Sequence, residues 1–201
     1  IGFEKRLGEY LKKKSPSLDE TRSIIDRLVS DANLKQARMV VDAVSRKKPD
    51  ADPEVMVVML EGLAKIGRMG DFSLGQRINP LKKLLNHPDD GVAAAAATNL
   101  GAWQLKGADP DLLRILRNST RAASVRRAAS VSLGQLRGSN AAETLREFAF
   151  DGETVDRYFA VFGLAESDMP AAAKAAAELL VLDPEESNPV GLVQAFTRRN
   201  K

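Results

Sequence analysis

Six arginines crowd into one stretch of this chain: Arg114, Arg117, Arg121, Arg126, Arg127 and Arg137. Guanidinium groups at that density can hold phosphates or carboxylates through paired N–H donors, so the stretch could grip a polyanion or an acidic protein surface. Arg114, Arg117 and Arg121 follow helical spacing, and Arg126 and Arg127 open the next apolar-periodic segment. The competing reading is a solvated charged face paired with carboxylates of neighbouring segments. It is favoured by the modest excess of charge, about +4 over residues 101–150. The candidate partner-contacting residues are Arg114, Arg117, Arg126, Arg127, Ser130 and Arg137.

Other chemistry finds less to work with. Acid–base catalysis needs two groups whose surroundings push their pKa values apart. Here the carboxylates cluster at turns and helix starts, as in Asp19 and Glu20, Asp52 and Glu54, Asp89 and Asp90, Asp109 and Asp111, and Asp183 with Glu185 and Glu186. Acidic residues at those places cap helices and meet the positive end of the dipole. The single histidine, His87, sits in the turn Asn86-His87-Pro88-Asp89 and reads as an exposed turn residue. One histidine and no cysteine exclude a multi-histidine metal site, thiolate ligation, disulfides and a cysteine nucleophile within these residues, and make a Ser/His/Asp triad improbable. No glycine-rich phosphate loop follows a strand pattern, and no apolar run is long enough to span a membrane. No catalytic residue, cofactor or metal is therefore assigned, and the chain reads as a binding protein and not an enzyme.

The balance of the whole chain suits an ordinary folded domain, with 30 Lys and Arg against 27 Asp and Glu. Its charge is uneven: about +4 in residues 1–50, −1 in 51–100, +4 in 101–150 and −4 in 151–201. Lys12, Lys13 and Lys14 form a basic helix exit, which solvent and the helix dipole favour. The first residue is Ile1 and helical sequence follows at once, so the chain is read as an excised or processed piece of something longer. Nothing assigns a compartment.

The elements that must carry these residues show themselves as an internal repeat. Val55, Val58, Leu63, Ala64 and Ile66 align with Val92, Ala95, Leu100, Gly101 and Trp103, and these with Val125, Ala128, Leu133, Gly134 and Leu136. Apolar residues at i, i+3, i+8 and i+11 make one stripe of an α-helix. Each such helix has a partner before it, marked by Leu81, Leu84 and Leu85 in one copy and by Leu112, Leu113 and Leu116 in the next. Turn residues separate the two. A weaker copy has Leu145 and Phe148, then Val155, Tyr158, Phe159, Phe162 and Leu164, and plausible pairs precede and follow, giving roughly six. The predicted helices include Phe3 to Lys13, Leu18 to Ser30, Leu34 to Arg46, Pro53 to Arg68, Ala171 to Leu182 and Pro189 to Arg199. The stretch from Gly67 to Arg77 is an insertion and the longest candidate loop.

Helix pairs with an L-x2-LL helix, a short Pro/Asp turn and a V-x2-A-x4-LG helix resemble the HEAT repeat and its PBS-lyase-like relatives. The resemblance covers nearly the whole chain and is clearest in residues 78–137. It implies an all-α, α-α superhelical solenoid forming one domain over residues 1–201, with a concave face of second helices used to bind another protein or a neighbouring domain of the same polypeptide. The chain departs from the family in showing no regular aspartate and arginine ladder between repeats. HEAT-like DNA glycosylases would need an aspartate and aromatic rings in the concave groove, whereas the only tryptophan, Trp103, occupies an apolar stripe position and reads as core. Bilin lyases share the repeat and nothing more. The end from Asn188 to Arg199 resembles the helix after HEAT arrays in large planctomycete-type multidomain proteins. That resemblance implies an extracytoplasmic spacer between redox modules, with haem cysteines beyond Lys201. The two functions carried forward are a protein-interaction scaffold and, as the alternative, a polyanion or nucleic-acid binder using residues 111–137.

Overall fold

Turn chemistry decides where the helices begin. Ser17, Asn33, Asp52, Asp89, Asp168 and Asn188 each accept a backbone N–H of the turn that follows, from Glu20, Gln36, Val55, Val92, Ala171 and Gly191. Pro53 opens its helix where no N–H donor is needed. The structure is a computed structural model and describes residues 2–46, 51–70, 74, 78–182 and 188–197. Among the described residues there are twelve helices and no strand. The all-helical solenoid class read from the sequence is thus observed, with its six pairs.

The residues gather into two compact units, 1–108 and 109–201. The first unit holds α1 (Phe3–Leu11), α2 (Leu18–Asp31), α3 (Leu34–Arg46), α4 (Pro53–Met69), α5 (Ile78–Leu84) and α6 (Asp90–Ala102). First helices pack on first helices, α1 on α3 and α3 on α5, while second helices pack on second, α2 on α4 and α4 on α6. Two layers result. The alanine-rich α6 is apolar on nearly every side, which suits a helix covered by α4 and α5. Its one buried amide, Asn99, donates to the Leu60 carbonyl oxygen at 2.8 Å and so ties α6 to α4. Trp103 ends α6 buried against Gly67, where any side chain would meet the indole ring, so its reading as core holds.

At the other side of this unit, Tyr10 donates to Thr21 Oγ1 at 2.7 Å and Thr21 donates to the Ser17 carbonyl oxygen at 2.7 Å. That relay fastens α1 to the start of α2. Lys13, one of the three consecutive lysines, pairs with Glu20 at 2.6 Å.

The second unit holds α7 (Asp109–Arg117), α8 (Ala123–Leu136), α9 (Ser139–Asp151), α10 (Thr154–Ser167), α11 (Met169–Leu182) and α12 (Pro189–Thr197). Again α9 lies on α11, and α8, α10 and α12 follow one another in the second layer. The tightest approach joins α8 and α10. A Cβ on Gly134 would lie 2.0 Å from the Gly163 carbonyl oxygen, so the helix backbones nearly touch there. Ser130 bridges the same seam, donating to the Phe159 carbonyl oxygen at 2.7 Å.

Two sequence expectations are corrected. His87 is not exposed: it is buried, its Nδ1 accepting the Asp89 N–H at 3.1 Å, because the ring folds back to cap its own turn. The insertion starts later than Gly67, since the apolar stripe of α4 continues through Ile66 and Gly67 and the helix ends at Met69. Leu74 is buried, and residues 71–73 and 75–77 of that insertion lie outside the described residues. So do Asp183, Glu185 and Glu186, and the final residues of the helix expected to reach Arg199.

Candidate partner-binding surface

The sequence of α7 sorts its residues onto two sides. Leu112, Ile115 and Leu116 point into the core, which leaves Arg114 and Arg117 exposed in the last turn, where cations meet the negative end of the dipole. Arg114 pairs with Asp111 one turn earlier at 3.7 Å, and Arg117 donates to Thr144 Oγ1 of α9 at 3.4 Å. Beside them opens a shallow cleft of about 580 Å³ lined by Asp109, Pro110, Leu113, Arg114, Arg117, Asn118 and Asn140. A lining that combines Pro110 and Leu113 with two guanidinium groups, two amides and one carboxylate can take an aliphatic side chain next to a carboxylate.

The other predicted residues go elsewhere. Arg126 is 6% exposed and turned inward. Its Nε donates to the Leu116 carbonyl oxygen at 2.9 Å, at the open end of α7, its Nη2 bonds Asp156 on α10, and its guanidinium lies 5.1 Å from the Phe159 ring centroid. Ser130 is fully buried in the α8–α10 seam. Neither can touch a partner, and the expectation that they line a surface is corrected. Arg127, on the next residue of α8, is half-buried and spreads over Phe162 at 5.2 Å. Arg137 is exposed at the end of α8, in a left-handed turn with φ +53° whose N–H closes on the Leu133 carbonyl oxygen. Of the six residues, the cleft brings together Arg114 and Arg117 alone.

Sequence reasoning missed two arginine links between pairs that the structure contains. Arg126 joins the end of α7 to Asp156 on α10, and Arg157 does the same one pair later, donating from Nε to the Ala149 carbonyl oxygen at 3.1 Å and from Nη2 to Glu178 of α11 at 3.4 Å. Each arginine caps the first helix of its own pair and grips a carboxylate of the following one. These two links do not make the regular aspartate and arginine ladder whose absence the sequence suggested, because the second uses Glu178. The signal was present, since Asp156 follows Arg126 by about one repeat, but Glu178 sits on a first helix and breaks the register.

A third link between pairs is sensitive to pH. Arg146 donates to Asp168 at 2.6 Å, and Asp168 also accepts the Ala171 N–H at 3.2 Å. The guanidinium first, and the backbone donor second, hold this carboxyl below the usual carboxylate range. A depressed folded-state pKa means stability that is present above the ordinary aspartate range and lost as pH falls through the folded value. Because Arg146 is 56% exposed and solvent screens the pair, the loss should not exceed about 1 kcal/mol. Urea denaturation of the wild type and Asp168→Asn at neutral pH and near pH 3 checks this: the stability gap should narrow in acid, and a constant gap would refute it.

With the geometry in place, the comparison with protein families decides the class. Residues 78–156 match the family model described as HEAT repeats. That stretch is a HEAT-repeat array. It takes in α5 to α9 and the start of α10, including the arginine-rich pair and its cleft. The same alternation of first and second helices runs on either side of the matched stretch, so the rest of the chain has a HEAT-like arrangement of helices. No curated protein matches it. HEAT repeats are commonly protein-interaction scaffolds and typically not catalytic. No described helix is long and apolar enough to cross a membrane.

Proposed function

We propose that this domain is a non-catalytic protein-interaction module, and that the cleft beside α7 is where an acidic partner segment binds. The observation that carries the reading is the union of Leu113 and Pro110 with the exposed Arg114 and Arg117 in one concavity. Arginine is one of the residues in which binding energy concentrates at protein interfaces. Arg127 and Arg137, exposed in part or whole on α8 and its exit, extend the candidate surface beyond the cleft.

A polyanion fits the cleft less well. Asp111 offsets Arg114, Asp109 also lines the cleft, and Pro110 and Leu113 are aliphatic, whereas phosphate chains are gripped by uncompensated charge and bases by exposed rings. Trp103, the residue a lesion-binding glycosylase would need to expose, is 3% exposed.

The test is a pull-down from the source organism comparing the wild type with Arg114→Glu/Arg117→Glu, nuclease included. Arg126 is left intact because it holds the fold. A discrete protein should be retained after nuclease treatment, and the double variant should bind it roughly 30-fold more weakly, the loss of one strong interface anchor. Capture that vanishes with nuclease would transfer the surface to the polyanion reading. A partner bound equally by both proteins would remove the cleft from the interface.

A further inference from the structure

In the first unit α1 packs on α3 and α2 on α4, and the turns that join α1 to α2 and α3 to α4 line one groove of about 920 Å³. Leu11 at the end of α1, Met39 and Ala43 on α3 and Val55 on α4 give this groove an aliphatic side. Leu11 and Met39 are only half-buried, so both keep surface for a ligand. Lys12, Lys13 and Lys14 line it from the first turn and Arg46 from the end of α3. The lysine run that reads in the sequence as a plain helix exit thus shares a concavity with a fourth cation.

The carboxylates of this groove are committed to the fold, and most of its cations are not. Asp52 accepts the N–H groups of Glu54 and Val55 at the start of α4, and Asp42 is already engaged. Lys13 is held by Glu20 at 2.6 Å. Lys12, Lys14 and Arg46 are exposed, and among the described residues none of their side chains has an ion-pair partner. A helix C-terminus carries about half a negative charge, so the ends of α1 and α3 offset about one of these three cations and leave about two uncompensated.

Uncompensated charge by itself would also suit a phosphate chain. The rest of the lining favours a polypeptide. No aromatic ring lines the groove to stack a base, and a sugar–phosphate backbone would make no use of Leu11 and Met39. A flat lipid surface can reach exposed lysines but cannot enter a concavity. A protruding aliphatic side chain can, and methionine adapts its shape to such a guest. We propose that this groove binds an acidic segment of another protein, with an aliphatic side chain seated against Leu11 and Met39 and neighbouring carboxylates on Lys12, Lys14 and Arg46. The inference does not rest on the reading of the cleft beside α7.

Selection of random short peptides on the immobilised chain, followed by fluorescence titration of an enriched peptide, tests the proposal. The bait carries Arg114→Glu/Arg117→Glu, so that the cleft beside α7 cannot supply the binding. Enriched peptides should hold several carboxylates around an aliphatic residue. Adding Lys12→Glu/Lys14→Glu/Arg46→Glu should weaken the titrated peptide about 10-fold or more, with unchanged circular dichroism because all three side chains are exposed. Met39→Ala should weaken it as well, which a purely electrostatic attraction would not show. No enrichment, peptides without acidic residues, or equal binding to the charge-reversed protein would each overturn the proposal. So would a groove that takes a single-stranded oligonucleotide or phosphatidylserine vesicles in preference to any peptide.

Discussion

Asp156→Ala is expected to destabilise the protein more than Arg126→Leu, although the two substitutions break one ion pair. The side chains are unequally sheltered, 7% exposed for Arg126 and 26% for Asp156. Losing the carboxylate strands a cation that cannot reach water, with only the Leu116 carbonyl and the Phe159 ring for company. Breaking a buried pair in that way costs about 3 kcal/mol. Losing the arginine leaves a carboxylate that can still solvate and a carbonyl without its donor, while leucine keeps much of the packing, for about 1–2 kcal/mol. The double variant should fall close to Arg126→Leu alone, because no buried cation remains to be stranded. Urea denaturation followed by circular dichroism measures all three. Equal costs, or a larger cost for Arg126→Leu, would show that the buried guanidinium is not what Asp156 serves.

The misplacement of Arg126 shows which part of the fold was legible in the sequence. The repeat could be read because its information is periodic: Val92, Leu100, Val125 and Leu133 recur at fixed spacing, and all four are fully buried. Caps could be read because aspartate, asparagine or serine before an apolar run has one dominant use, and Ser17, Asp52 and Asp89 perform it. Arginine has no such single use. Arg126 and Arg127 are adjacent and identical, yet the turn of the helix aims the first at the Leu116 carbonyl and lays the second over Phe162 at the surface. One residue of rotation separates a structural strut from a candidate contact. His87 failed as a prediction for a similar reason, since a polar turn residue that bonds its own backbone can be buried without a distant partner. The cleft was out of reach altogether, because Asn140 and Leu113 come together only when α9 has been placed beside α7.

The pairs of the second unit are joined by two different devices, and each suits what the local sequence can supply. Where second helices meet, α8 and α10 come so close that a Cβ on Gly134 would meet the Gly163 carbonyl oxygen, and Ser130 bonds to backbone across the same seam. Where a first helix ends, its open carbonyls need donors, and the long side chains of Arg126 and Arg157 reach them from the following helix. The carboxylates of the next pair then hold those arginines in place. The arginine-rich composition of this region therefore supports the array first, and a partner has only the remainder.

Gly134→Ala should be among the most damaging single-methyl changes in the chain, and Gly8→Ala among the most benign. The added methyl at Gly134 would stand 2.0 Å from the Gly163 carbonyl oxygen, and since that atom is backbone no rotamer change can relieve it. The helices α8 and α10 must separate, which also stretches the buried Ser130 bond to the Phe159 carbonyl oxygen, now 2.7 Å. Overpacking together with a weakened buried hydrogen bond should cost about 3 kcal/mol. At Gly8 the nearest atom to an added methyl is the mobile end of Met39 at 3.8 Å, an ordinary contact. There alanine gains about 0.5–1 kcal/mol by restricting the unfolded chain within a helix. Denaturation of the two variants side by side separates backbone proximity from the general preference of helices for alanine. If Gly134→Ala matched the wild type, the backbones of α8 and α10 could not be in contact.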